Sequence, residues 1–343
     1  MEKATIIGVD LAKHVFQVHG AGADGSVAFR KKISRVKLLP FLSSQPRCVV
    51  AMEACAGAHG WARDIQAQGH EVRLIAPAYV KPFVKRQKND MADAEAITEA
   101  AARPTMRFVA VKSVEQQAML SVHTTRALLV KQRTMVANAL RAQLSELGLV
   151  AAQGHEGLHE LMARLEVPSE EIPEMMRSAL LMLVEQWQAL DGKERVLEKQ
   201  IVKAARCDRE ACRLMEAPSV GPIIASMVLA KVPDASVFRS SRDFAAWVGL
   251  TGRDHGTGGK HRSGRISKQG DRVLRTLLIN GASAHLRQQM RRGVSDPWLR
   301  ELLARRPYKV AMVAFAAKTA RIIWAMLTKG EAYRDRASAP AAA

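Results

Sequence analysis

Four carboxylates stand where they could do chemistry. Asp10 directly follows the apolar run "TIIGV", and Glu53 stands in the same relation to the apolar stretch of "RCVVAME". An acid at the end of a buried strand is costly to desolvate without a partner. If the two strands are neighbours in one sheet, both carboxylates emerge at the same edge. Asp90 and Asp93 are three residues apart at the start of the alanine-rich segment "DMADAEAITEAAAR", so they share a helical face. Acids that converge in this way raise one another's pKa. A divalent cation removes that penalty, and a set of hard carboxylate oxygens suits Mg2+ or Mn2+. Two such ions can stabilise the attacking and leaving oxygens at a phosphodiester. Taken singly, each helical acid also has a plainer reading, a charge placed at the positive end of a helix dipole. Glu95 is read as a bystander of that kind.

The company of these acids points the same way. Lys85, Arg86 and Lys88 precede Asp90 within a few residues, and the whole chain carries 52 Lys and Arg against 33 Asp and Glu, a formal excess of +19. Such an excess predicts a polyanionic partner, of which nucleic acid is the commonest. A membrane surface is the competing polyanion. No run of 18 apolar residues occurs to span a bilayer, and "MEKATIIGVDLAK" lacks a signal-peptide pattern, so the expectation is a soluble intracellular protein with no membrane partner. Cys48, Cys55, Cys207 and Cys212 form no CxxC pair, and no histidine stands at zinc-finger spacing from them, so they read as reduced thiols.

The elements that must position these residues fall into three parts with a tail. Over residues 1–110, "ATIIGVD", "VFQVHG" and "SVAFRKKI" read as an antiparallel meander. "RCVVAME", "GWARDIQAQG", "HEVRLIAP" and "MADAEAITEAAAR" then read as β-α-β-α, giving an α/β sheet of mixed direction. Residues 111–207 read as a helical coiled-coil arm. Its first helix runs over about 113–147 with Leu120, Leu128, Val136, Leu140, Leu144 and Leu147 on one face. Its second runs over about 174–205 with a methionine-rich stripe suited to an interface. Residues 208–330 read as a mainly α domain. Within it "APSVGPIIASMVLAKV" has the cadence of a helix-hairpin-helix element, whose backbone N–H groups can meet phosphate. A plain helix-turn-helix shows the same pattern. From Arg253 to Arg275 there are seven Lys or Arg against Asp254 and Asp271, and five glycines lie between Gly256 and Gly270, which suggests a loop in close approach to a ligand. Residues 331–343 read as a disordered tail.

Four segments, taken together and in order, resemble one family. "GVDLAK", "MEACAGAHGWA", "KNDMADAEAI" and "GLTGRDHGTGGKHRSGRISKQGDRVLRTLLI" look like the DEDD-type transposases of bacterial insertion sequences, the recombinases guided by a bridge RNA encoded in their own element. The resemblance implies a RuvC-like, RNase H-type N-terminal domain with Asp10, Glu53, Asp90 and Asp93 as catalytic metal ligands. It also implies a helical C-terminal transposase domain that supplies a hydroxyl nucleophile to the same composite site. DNA and a structured guide RNA are the implied partners. A homo-oligomer, dimer or tetramer, is expected from the apolar-striped helices and from a reaction with two DNA ends.

The family's nucleophile is a serine in the small-residue stretch before Gly-Lys, and here "HGTGGK" has none. Thr257 is the hydroxyl that falls closest. Ser263 and Ser267 are nearby alternatives that could instead touch phosphate. Lys260, Arg262, Arg265, Lys268, Arg272 and Arg275, together with Lys85, Arg86 and Lys88, are the expected nucleic-acid contacts. Two competing readings predict different products. A RuvC-like structure-specific endonuclease would use water as nucleophile, and a non-catalytic nucleic-acid-binding protein would not cut at all.

Overall fold

A computed structural model describes residues 4–85, 90–257 and 260–334, without the side chains of Asp90, Lys260, His261 and Ser263. Arg86 and Lys88 therefore lie outside the described residues. The chain forms two compact units, the first made of residues 1–116 with 232–237 and the second of 117–231 with 238–343.

The first unit is built on a six-stranded sheet: β1 (Ile6–Asp10), β2 (Val15–Ala21), β3 (Val27–Ser34), β4 (Val49–Glu53), β5 (Glu71–Ile75) and β6 (Phe108–Val109). Their order is β3-β2-β1-β4-β5-β6. The first three strands form an antiparallel meander, β1, β4 and β5 run parallel, and β6 returns antiparallel. This mixed α/β arrangement is consistent with an RNase H-like domain. Alternation along the strands sends Ile7, Val9, Val50 and Met52 to one face, where α1 (Leu38–Ser43) and α2 (Ala58–Ala67) cover them with Leu38, Leu42, Ala62 and Ile65. The other face buries Ala51 and Ile75 beneath α4 (Asp90–Ala101), through Ala96, Ile97 and Ala100, with the short α3 (Pro77–Val80) alongside.

Only a glycine lets α4 lie so close. A Cβ on Gly8 would fall 2.2 Å from the Thr98 hydroxyl and 2.5 Å from the Ala94 carbonyl oxygen. The same Thr98 hydroxyl donates to Ala94 at 2.9 Å. Strand β1 thus carries a gap at the one point where the helix crosses it.

In the second unit α5 (Val114–Ser145) and α7 (Glu174–Cys207) are the long helices expected, and α6 (His155–Glu166) between them was not anticipated. Near the turn the three share a core of Val136, Leu140, Leu144, Leu158, Leu161, Leu180, Val184 and Trp187. Further along, Arg133 meets Asp191 and Glu194 at 2.5 and 2.8 Å, and Arg126 meets Glu194 and Glu198 at 2.5 and 2.7 Å. The residue numbers rise on one helix as they fall on the other, so the pair is antiparallel. The inward face differs from the sequence expectation. Leu128 is 53% exposed, while Arg126 and Arg133 continue the stripe of Leu140 at steps of seven. Apolar periodicity alone misses a half-buried stripe whose members are charges paired across the interface.

The remainder comprises α8 (Arg209–Leu214), α9 (Pro222–Lys231), α10 (Ser241–Val248), the strands β7 (Gly252–Thr257) and β8 (Lys260–Ile266), α11 (Arg272–Arg292), α12 (Pro297–Arg305) and α13 (Tyr308–Lys329). The His123 ring of α5 meets the Ser226 hydroxyl of α9 at 3.0 Å, both buried. Helix α13 is long and apolar enough to cross a membrane by composition, with a mean hydropathy of 1.6. One face packs against neighbouring helices, burying Ala311, Phe315, Ala316, Ala320 and Ile323, and Lys318 is paired to Asp296 at 3.0 Å.

Candidate active site

Asp10 ends β1 and Glu53 ends β4, and the parallel register runs Ile6–Val49 through Val9–Met52. Each acid is the next residue on its strand, so the two leave the sheet side by side. Both also fall on the face of Gly8 and Ala51, which is the face α4 covers. A third group reports their convergence. The Cys55 thiol is pushed up first by burial and then by the Glu53 carboxylate, with the Asp10 carboxylate acting in the same direction. Both acids are half-buried, which leaves them open to a ligand.

Asp93 lies on the same helical stripe as Ala96, Ile97 and Ala100, the stripe that packs on the sheet. Asp90 opens the same helix. Among the described residues no three His, Cys, Asp or Glu side chains lie close enough to hold a metal ion, and Asp90's side chain is not among them. The donors that are described, half-buried carboxylates at adjacent strand ends, are the hard oxygens a divalent cation takes.

Glu95 has a different task from Asp93. It accepts from Lys85 at 2.5 Å and Arg30 at 3.0 Å, and Lys85 also reaches Glu99 at 3.2 Å. Hydrogen bonding to Lys85 holds the Glu95 carboxyl below its usual range, and the same contact raises the Lys85 ammonium. The expected phosphate contact Lys85 is therefore committed to the acids of α4.

The glycine-rich block is a hairpin and not the loop expected. Strands β7 and β8 pair antiparallel from Gly252–Ile266 to Thr257–Lys260. The two-residue Gly258-Gly259 between two runs is a hairpin signal that the density of charge obscured. Its base is tightly built. Gly249 and Gly270 both take left-handed backbone with φ of 80°, and a Cβ on either would fall 2.0 Å from the Gln269 carbonyl oxygen or 1.7 Å from that of Trp247. Arg275, 8% exposed, donates to the carbonyls of Val248 and Gln269 at 2.9 and 3.0 Å. Its guanidinium fastens the hairpin's base, which corrects the expectation that it meets phosphate. Asp271 caps α11 by accepting from the Leu274 N–H at 2.7 Å and is paired with Lys231 at 2.6 Å.

The candidate hydroxyls separate along this hairpin. Thr257 is exposed at the tip, opposite Lys260. Ser267 sits at the base, where its hydroxyl accepts from the Gln269 N–H at 3.4 Å. Ser263 pairs in register with Asp254, and its side chain lies outside the described residues. Arg262, Arg265 and Lys268 are exposed along β8 and its exit, and Arg272 is exposed in the first turn of α11.

A sheet with acids at adjacent strand ends, followed by a helical region carrying a basic hairpin, fits an enzyme of DNA rearrangement, and relatives bear this out. A family model described as "Transposase" matches residues 7–148, and one described as "Transposase IS116/IS110/IS902 family" matches residues 211–301. A Pseudomonas aeruginosa protein named "Probable family 20 transposase" is 48% identical over 333 residues, covering 96% of this chain and 98% of its own. The transposase for insertion sequence element IS1328 of Yersinia enterocolitica is 39% identical over 335 residues, covering 97% and 99%. The protein is a transposase, an enzyme that cuts and rejoins DNA. It belongs to the IS116/IS110/IS902 family, whose members move insertion sequences.

Proposed function

We propose that this transposase cuts DNA at a divalent-metal site formed by Asp10, Glu53, Asp90 and Asp93, and that Thr257 is the attacking hydroxyl. The observation that carries the reading is the pairing of Asp10 with Glu53 at neighbouring parallel strand ends, where both carboxylates act on one thiol. Mg2+ or Mn2+ bound there would neutralise charge that builds on the phosphate oxygens. The Thr257 oxygen forms a bond to phosphorus while the phosphorus–oxygen bond to the adjoining sugar breaks, and the released sugar oxygen takes up a proton. The resulting protein–DNA ester retains the bond energy needed to rejoin strands. Exposure of Thr257 at a hairpin tip supports this role, because a tip can enter a cleft that a buried residue cannot. Lys260, Arg262, Arg265, Lys268 and Arg272, with Arg86 and Lys88, then meet the phosphate backbone.

A structured guide RNA and a homo-oligomer complete the proposal. The excess of +19 supports extensive nucleic-acid contact. Exposed apolar side chains along the arm, Leu128, Met135, Met182 and Val196, support a dimer or tetramer built through it.

Covalent trapping tests the chemistry. The full-length protein is incubated with Mg2+, element-end DNA and co-purified RNA, then digested and searched for a nucleotide on Thr257. A free 3′ hydroxyl and 5′ phosphate with no adduct on any protein residue would replace the threonine by water and make the protein a RuvC-like endonuclease.

A further inference from the structure

The densest positive run in the chain is "RKKISRVK", residues 30–37, with five Lys or Arg and no acid. It forms β3, at the edge of the sheet, and the residues just after it. Alternation divides the run between the two faces. Lys31 points to the α1 side, with its ammonium 4.9 Å from the Phe41 ring centre, and Arg35 lies 5.1 Å from that of Trp61. Arg30 and Lys32 point to the face of the acids. The ion pair of Arg30 with Glu95 of α4 fixes that assignment.

The register places these two cations in successive rows across the sheet. Arg30 pairs with His19 and His19 with Gly8, the row that α4 covers. Lys32 pairs with Gln17 and Gln17 with Asp10, and Asp10 is flanked by Glu53 on β4. The sheet thus carries a line Lys32–Gln17–Asp10–Glu53 on one face, with Lys32 exposed at its open end. Two strand spacings separate Lys32 from Asp10, about 10 Å. That is too far for an ion pair, so Lys32 does not neutralise the acids. It suits a backbone phosphate close to the one held at the acids.

We propose that Lys32 is a positioning residue that holds a backbone phosphate of the DNA strand cut at Asp10 and Glu53, close to the scissile bond. The proposal rests on the metal-site reading of those acids. Gln17, half-buried between them, lines the track along which the strand runs. The competing account of a lysine on an edge strand is protection against pairing with another sheet, and it makes no demand on which face the lysine occupies.

The test compares full-length Lys32→Gln, Lys32→Arg and Lys31→Gln for binding to duplex element-end DNA and to guide RNA across salt concentrations. Loss of one duplex phosphate contact lowers the slope of log K against log salt by about 0.9. Lys32→Gln should show that loss on DNA with several-fold weaker binding, Lys32→Arg should restore both, and Lys31→Gln, of equal charge on the other face, should leave the slope alone. An unchanged DNA slope for Lys32→Gln would overturn the proposal, with or without self-association. So would an equal loss for Lys31→Gln, or an effect confined to RNA. Asp10→Asn is run in parallel for cleavage. If it still cuts, the metal-site reading fails; if it binds without cutting while Lys32→Gln binds normally, only the role of Lys32 fails.

Discussion

At the scale of single residues, the site turns on what each carboxylate faces. Asp10 and Glu53 end adjacent parallel strands on one face of the sheet, whereas Glu95 is held by Lys85 and Arg30. Asp10→Asn keeps the shape and removes the charge a cation needs. It should cut strand cleavage by roughly a thousandfold, the loss of several kcal/mol of charge stabilisation, while DNA binding persists. A single-turnover cleavage assay checks this. Thr257→Ala should abolish the covalent adduct, and Thr257→Ser should retain it, since serine keeps the hydroxyl and removes the hindering methyl. Unaltered strand transfer by Thr257→Ala would refute the assignment.

At the scale of elements, two close fits hold the site-bearing parts in place. The first is α4 on β1. Gly8→Ala puts a methyl 2.2 Å from the Thr98 hydroxyl, so helix and strand must part. The cost should be about 1–3 kcal/mol, seen as a lower melting temperature, with cleavage falling further than DNA binding because Asp90 and Asp93 ride on α4. The second is the antiparallel pair α5 and α7. Glu194, 4% exposed, answers both Arg126 and Arg133. Glu194→Gln leaves two guanidinium groups short of charge, and removing one partner of a buried pair costs on the order of 3 kcal/mol. Thermal unfolding monitored by circular dichroism would show it, and an unchanged melt would mean water reaches the cluster.

At the scale of the whole molecule, acid should destabilise the fold through half-buried His59 and buried His123. His59 is pushed down to about 4 by burial, then by Lys112 and Arg63, and His123 to about 4 by burial, then by Arg126 and Lys231. In the unfolded chain each takes a proton near its ordinary value of 6.5. Between these values the unfolded state binds more protons, so stability is full above about pH 6.5 and falls as the pH drops toward 4. Melting temperatures across that window should show the slope, and His123→Asn should flatten it.

Much of this was legible in the sequence. Apolar runs ending in an acid located β1 and β4, and the alanine-rich segment located α4, because strand and helix periods are local properties of the chain. The overall charge pointed to nucleic acid, and the four ordered segments to the family. Tertiary structure decided what those local patterns do not encode. The inner face of α5 includes half-buried Arg126 and Arg133, which apolar periodicity does not mark and which Asp191 and Glu194 of α7 pair. Arg275 looked like its basic neighbours until the carbonyls of Val248 and Gln269 claimed it. Lys32 is indistinguishable from Lys31 in the sequence, and only the strand register sets one in line with Asp10 and the other against Phe41. Which acids share an edge, and which cations are already taken, depend on pairings between residues distant in the chain, and only the folded sheet and helices fix those.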